Sequence, residues 1–108
     1  MEVLELPRFG LDVVPDRARV TVCVAGELDM STGPRLHDAV EDLRAAGWTA
    51  IALDLGELTF IDSTGLVMLL ALCRPAEGDR GEVTVAVSCP KLERLLTVSA
   101  LEHALPRG

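Results

Sequence analysis

The most constraining feature of this chain is the short run Ala50 to Leu55, which is apolar throughout except for Asp54. Six residues are too few for a buried helix, and a strand that exposes neither face to water reads this way when it lies inside a partly parallel sheet covered on both sides. Parallel neighbours require crossover connections, so helical segments must flank the run. They do. Leu36, Ala39, Val40 and Leu43 follow the i, i+3, i+4, i+7 spacing of one buried helical face, with His37, Asp38, Glu41 and Asp42 left for solvent. Ser31 or Thr32 is placed to cap this helix, Pro34 sits in its first turn, and Gly47 supplies the stop.

Upstream, Val20, Val22 and Val24 alternate with Arg19, Thr21 and Cys23, which predicts a strand over Arg19 to Ala25. A strand around Phe9 to Val14 pairs with it through a Pro15-Asp16 turn, and Gly26 to Gly33 reads as a loop. Downstream, Gly56 to Asp62 reads as a connection, followed by a helix from about Thr64 to Arg74 that Pro75 ends. Its apolar run, Leu66 to Cys73, has no polar face. Leu, Met and Ala dominate it and Asp62-Ser63 supplies a capping signal, so helix is preferred to strand. Such a helix is either wholly buried or leaves part of a face for a partner. Glu77 to Gly81 is a turn, Glu82 to Val87 alternates as a strand, and Pro90 opens a helix with Leu92, Leu95 and Leu96 facing inward. The order ββαβαβα predicts a single α/β domain over residues 1–108: a mixed β-sheet with an N-terminal hairpin and helices packed on it.

Composition agrees and removes several function classes. Apolar residues make up 49% of the 108 positions but aromatics only 3%, so the core is aliphatic. The net charge is −7, with Lys91 the only lysine and the arginines scattered. Nucleic acid and anionic membranes both select basic patches, and neither is an expected partner. Cys23, Cys73 and Cys89 are odd in number, widely spaced and set in apolar runs. They read as reduced core cysteines of a cytoplasmic protein rather than as a disulfide framework or metal site. Met1 to Pro7 lacks a basic n-region and Leu66 to Cys73 is too short to cross a bilayer, so a cytoplasmic location is expected.

The stretch that carries chemistry runs from Leu53 to Leu66. Ser63 or Thr64 at a helix N-terminus sets a hydroxyl beside unpaired backbone N–H groups and the positive end of the helix dipole. Its simplest role is capping. A phosphate placed there finds partial compensation, while Asp62 contributes repulsion. A nucleophile elbow would need glycine where Ile61 stands, although Gly65 is in place. His37 and His103 fall on an exposed helical face and near the C-terminus, and no Walker or GxGxxG loop is present. No catalytic residue, cofactor or metal is expected, and a small enzyme or nucleotide-binding domain is the weaker reading.

Over nearly its whole length the chain resembles the STAS-domain anti-sigma-factor antagonists of bacteria. The resemblance rests on Gly26-Glu27-Leu28-Asp29, Leu53-Asp54-Leu55, the box from Phe60 through Asp62-Ser63-Thr64-Gly65 to Leu66, and Leu95-Leu96 with Ser99-Ala100-Leu101. It implies a partner switch. The unphosphorylated antagonist binds an anti-sigma factor that is also a serine kinase of the histidine-kinase-like ATPase fold and so frees a sigma factor. Phosphorylation ends the complex, and a serine phosphatase resets it. By position Ser63 matches the phosphoacceptor, with Thr64 as the fallback. Asp29, Asp62, Ser63, Thr64 and Gly65 match the partner-binding positions, Asp29 having a loop or capping role as its alternative. A stand-alone STAS subunit of a lipid-transport or transporter assembly, without a phosphoswitch, is the alternative function. Two departures are visible: the chain ends at Gly108, which implies reduced C-terminal cover of the sheet, and Ala100 replaces the usual glycine, which puts the family's turn there in question.

Overall fold

A computed structural model describes residues 9–74 and 81–108. The predicted features at Met1 to Pro7 and Pro75, and most of the Glu77 to Gly81 turn, lie outside the described residues. The elements are β1 (Phe9–Asp16), β2 (Arg19–Leu28), α1 (Gly33–Ala45), β3 (Ala50–Ile61), α2 (Ser63–Leu72), β4 (Glu82–Val87) and α3 (Pro90–Val98). This is the expected order. The sheet order is β1-β2-β3-β4, with β1 antiparallel to β2 and the other two pairs parallel. Each crossover advances one strand in the same direction, and right-handed connections of that kind lay their helices on one face.

The core forms between that face and the helices. Val20, Val22 and Val24 from β2, Ile51, Leu53 and Leu55 from β3, and Val83 and Val85 from β4 meet Leu36, Val40, Leu66, Leu69, Leu92 and Leu96. The opposite face carries Thr21, Cys23, Ala52, Asp54, Thr84 and Ala86. Ala52 is buried and the others half-buried, with no helix over them among the described residues. The expectation that β3 is covered on both faces is therefore corrected. Short side chains lying low between neighbouring strands lose their exposure without a second layer. All three cysteines are free; Cys73 and Cys89 are buried, and burial pushes the Cys73 thiol up to about 11 against the opposing pull of Arg44.

Three connections also differ from the sequence reading. Pro15 pairs with Val20 and Asp16 with Arg19, so the hairpin turns at Arg17-Ala18, where Arg17 has φ 56°. An edge strand accepts a proline whose missing N–H would point away from its partner. Next, β2 runs on to Leu28 and β3 to Ile61 through register shifts, with Gly26 at φ 92°. Gly26 to Leu28 and Gly56 to Ile61, both read as loop, are strands that pair with each other. Finally, α2 begins at Ser63 and ends at Leu72, slightly before the predicted limits. Leu66, Leu69 and Leu72 are buried while Val67 is 63% exposed, so the helix keeps one apolar face uncovered.

Helix ends and a clasp fix these pieces. Gly47 at φ 97° closes α1, with its N–H donating to Arg44 O and that of Trp48 to Leu43 O. The Arg44 guanidinium donates to Gly81 O at 3.0 Å, Leu72 O at 3.2 Å and Glu41 at 2.7 Å, joining α1 to the end of α2 and the start of β4. At the other end of α2, Gly65 lies against β2: a Cβ there would sit 2.4 Å from Leu28 O and 3.0 Å from Ile61 Cγ1. Only glycine allows that approach.

The C-terminal residues settle one of the expectations drawn from the family departures, that about the turn at Ala100. Ala100 adopts φ 56° and closes α3 as a glycine would, its N–H donating to Thr97 O and that of Leu101 to Leu96 O. The turn is kept. Leu105 is buried in the core, Arg107 bridges Val85 in parallel, and Val85 N–H and Gly108 N–H donate to Pro106 O and Val85 O. Arg107 also grips Glu93 through two bonds, at 3.0 and 3.1 Å. Residues 105–108 thus add one parallel bridge to the outer edge of β4.

Two substitutions test this architecture. Ala100→Gly removes a side chain from a left-handed backbone and is expected to raise stability by up to about 1 kcal/mol in urea melts. An unchanged or lower midpoint would show that Ala100 is not held in that conformation. Gly65→Ala gains helix propensity but forces a methyl onto the Leu28 carbonyl, and a net loss of about 1–3 kcal/mol is expected. Wild-type stability would mean that α2 does not press on β2.

Candidate functional site

The site follows from the ends of two strands. Leu28 pairs with Ile61, so the next residues, Asp29 and Asp62, follow the ends of adjacent parallel strands, which lie about 5 Å apart where they pair. Crevices outside the carboxyl ends of parallel strands are where open α/β sheets place their functional loops. Two of the sequence-predicted segments, 33 residues apart in the chain, are brought together here.

Asp62 is the N-cap of α2. It is extended at φ −110° and ψ −175°, and its carboxylate accepts from the Gly65 N–H at 2.8 Å. Ser63 is therefore the first helical residue and Thr64 the second, which corrects the reading of Ser63 as the cap. A carboxylate both satisfies an orphan N–H and complements the helix dipole, so Asp62 fits the capping position well. Ser63 and Thr64 are exposed. Gly65 is buried, and its part in the site is to let the helix start this close to β2.

Asp29 organises the other loop. One of its carboxylate oxygens accepts from the Ser31 N–H at 2.9 Å, the Ser31 hydroxyl at 2.7 Å and the Thr32 N–H at 3.2 Å. The Ser31 hydroxyl is the main reason its carboxyl is held below the usual carboxylate range, so the loop carries a fixed negative charge at neutral pH. Thr32 stands at the N-cap of α1 without capping it through its side chain. Its hydroxyl accepts from Asp29 N–H and donates to Glu27 O, closing the loop on itself. Met30, at the tip, is 74% exposed.

Chemically the site offers the exposed hydroxyls of Ser63 and Thr64 and two carboxylates. His37 lies on the outer face of α1 next to Asp38, and His103 is exposed near the C-terminus. Among the described residues no cluster of His, Cys, Asp or Glu is arranged to hold a metal ion. No helix among them is long and apolar enough to cross a membrane. Sequence reasoning missed Met30 and Val67. A methionine inside Asp29-Met30-Ser31 is a visible anomaly in a polar loop, whereas Val67 is hidden within eight consecutive apolar residues.

Known proteins give a consistent picture. A family model described as "Mlab, STAS domain" matches residues 11–107. An anti-sigma-B factor antagonist of Listeria monocytogenes is 27% identical over 90 residues, covering 83% of this chain and 79% of the relative. The crystal structure of an anti-sigma factor antagonist from Mycobacterium paratuberculosis superposes with a TM-score of 0.77 at 28% identity, covering 96% of this chain and 89% of that one. The unphosphorylated form of the antagonist SpoIIAA shares the fold, with a TM-score of 0.67 at 24% identity over 93% of this chain and 87% of that one. With a family model matched across the sheet, all three helices and the C-terminal bridge, this chain belongs to the STAS-domain family, and its relatives include anti-sigma-factor antagonists.

Proposed function

We propose that this protein is an anti-sigma-factor antagonist acting in the cytoplasm, which binds an anti-sigma factor with serine kinase activity while Ser63 is unphosphorylated. Binding releases a sigma factor, phosphorylation of Ser63 ends the complex, and a serine phosphatase restores it. One observation carries the reading: Asp62 caps α2, so the exposed Ser63 hydroxyl is free to be modified without unseating the helix. The relatives, regulatory binding proteins named as anti-sigma-factor antagonists, support the same role.

The electrostatics support a switch. A phosphate adds about −1.5 to −2 charges at neutral pH. The helix N-terminus compensates part of it, which keeps the fold intact. Asp62 and Asp29 compensate none, and the local field turns strongly negative. Disrupting a buried charged contact costs about 2–5 kcal/mol, enough to dissociate a micromolar complex.

The test is to incubate the protein with ATP and each candidate anti-sigma kinase from the same genome and map the product by mass spectrometry. One phosphate on Ser63, absent from Ser63→Ala, is expected. Phosphate on Thr64 would move the switch one residue along α2. No modification by any candidate would overturn the phosphoswitch and leave a STAS subunit of a lipid-transport or transporter assembly. Independently, Ser63→Glu is expected to weaken kinase binding in calorimetry while circular dichroism stays unchanged. Equal affinity would argue against electrostatic release.

A further inference from the structure

The two edges of the sheet end differently. Beyond β4 the chain pairs with its own edge, Val85 N–H donating to Pro106 O and Gly108 N–H to Val85 O. Beyond β1, 8 residues long, no described residue pairs with the strand. The turn at Arg17-Ala18 determines which backbone groups are left over. It makes Asp16 and Arg19 a hydrogen-bonded pair, and antiparallel pairs alternate, so the even positions of β1 commit their N–H and C=O groups to β2. Those of Phe9, Leu11 and Val13, and the carbonyl of Pro15, point outward. Leu11, Val13 and Pro15 stand opposite Val24, Val22 and Val20, so these odd positions lie on the helix-covered face of the sheet, and all of them are apolar. Cover stops halfway along them: Phe9 is 5% exposed and Leu11 half-buried, but Val13 is 48% exposed and Pro15 exposed. On the other face Val14 is 51% exposed between Asp12 and Asp16. A bare, partly apolar edge is a template for another strand, and Pro15 removes a donor only at its far end.

We infer that β1 is the contact edge for a second copy of this chain: two β1 strands pair antiparallel, centred on Val13, about an axis normal to the sheet, and the sheet continues through both copies. Such an axis keeps the helices of both copies on one side. Opposing residues then lie on the same face, and the allowed registers step by two. Charge selects among them. Centring on Asp12 sets two Asp12 carboxylates against each other, and centring on Val14 sets Asp12 against Asp16 twice; like charges directly opposite are destabilising. Centring on Leu11 confines the pairing to residues 9–13 and leaves the exposed Val14 unmatched. Centring on Val13 sets Asp12 against Val14, Asp16 against Gly10, Leu11 against Pro15 and Val13 against its own copy. The Val13 N–H of each copy donates to the other's Val13 carbonyl, and each Leu11 N–H to the other's Pro15 carbonyl, so no donor is asked of the proline. At either end Asp16 and Arg17 of one hairpin come beside Phe9 of the other copy, where the Arg35 guanidinium lies 5.0 Å over the ring, and charges of both signs meet there. Arg19 stands opposite Asp16 within its own hairpin. The Ser63 ends of the two copies point in opposite directions and stay open, so the inference neither needs nor disturbs the antagonist reading.

The experiment is sedimentation of the purified full-length chain over a concentration series, under reducing conditions and in about 0.15 M salt, which screens the repulsion between copies that each carry −7. A reversible monomer–dimer equilibrium is expected, with Kd between about 1 μM and 1 mM as befits a small interface. Val13→Pro removes only an outward N–H, as Pro15 already does, and is expected to weaken the dimer about tenfold or more while circular dichroism stays unchanged. Val13→Lys keeps the donor but sets two ammonium groups opposite each other, and a similar loss is expected. Because lysine reduces the net negative charge, general repulsion cannot account for that loss. Hydrogen exchange gives a second readout: the Leu11 and Val13 amides slow as concentration rises, whereas those of Asp12 and Val14, already bonded to β2, do not change. A chain that stays monomeric up to about 1 mM overturns the inference. A dimer that the folded Val13 variants leave intact overturns it as well, placing the contact elsewhere. Neither result bears on whether Ser63 is phosphorylated.

Discussion

The pairing of β2 with β3 beyond their irregularities governs the functional end of this molecule. Up to Cys23 and Asp54 the two strands pair as ordinary neighbours, and past Gly26 they continue in a shifted register to Leu28 and Ile61. That continuation makes Asp29 and Asp62 neighbours and sets the Leu28 carbonyl where α2 must begin. Gly65 meets it there. If the strands parted at Ala25 and Leu55, the two loops would lie on long tethers and their relative geometry would be lost. Bulges commonly re-aim the end of a strand near a functional site, and Gly26 at φ 92° supplies the backbone freedom this one needs.

Covering one face of the sheet with all three helices has a related consequence. The hydrophobic layer is single and mostly aliphatic, with Phe9 its one buried aromatic among the described residues, and α2 lies in its middle, touching α1, α3 and β3. A central helix buries one side and keeps the opposite side for solvent. With Leu66, Leu69 and Leu72 turned inward, Val67 and Ala71 necessarily face out, so the apolar composition of α2 exceeds what its burial uses.

Where the sequence was legible, local period and local chemistry agreed with the tertiary outcome. The valines of β2, the α1 stripe ending at Gly47, β4, and the proline-initiated α3 could all be read residue by residue. Asp62-Ser63-Thr64-Gly65 was legible as a helix start, but the choice among three possible capping side chains was not. It depends on backbone angles that place the Asp62 carboxylate, and no serine hydroxyl, over Gly65 N–H. The extensions of β2 and β3 were illegible because Gly26-Glu27-Leu28 and Gly56 to Ile61 lack a strand pattern alone, and only long-range pairing with each other makes them strands. The two-residue turn at Arg17-Ala18 was missed because Pro15 and Asp16 are the stronger turn formers, and an edge strand tolerates both.

With Asp62 as the cap, the proposed switch at Ser63 would avoid a conflict built into any switch at a helix start. If the modified hydroxyl were itself the cap, phosphorylation would exchange an N-cap bond for a larger anion and disturb the helix along with the charge. With Asp62 bonded to Gly65 N–H, the helix terminus is satisfied before and after modification, and Ser63 lies within the first turn, where the dipole is felt most strongly. The charge of a phosphate on Ser63 would then be expressed outward rather than inward as strain. Asp29, held ionised by the Ser31 and Thr32 bonds, keeps the adjacent loop rigid while the field around it changes. On the proposed switch, a rigid scaffold with one variable charge would respond to phosphorylation mainly through its affinity for a partner and little through its shape.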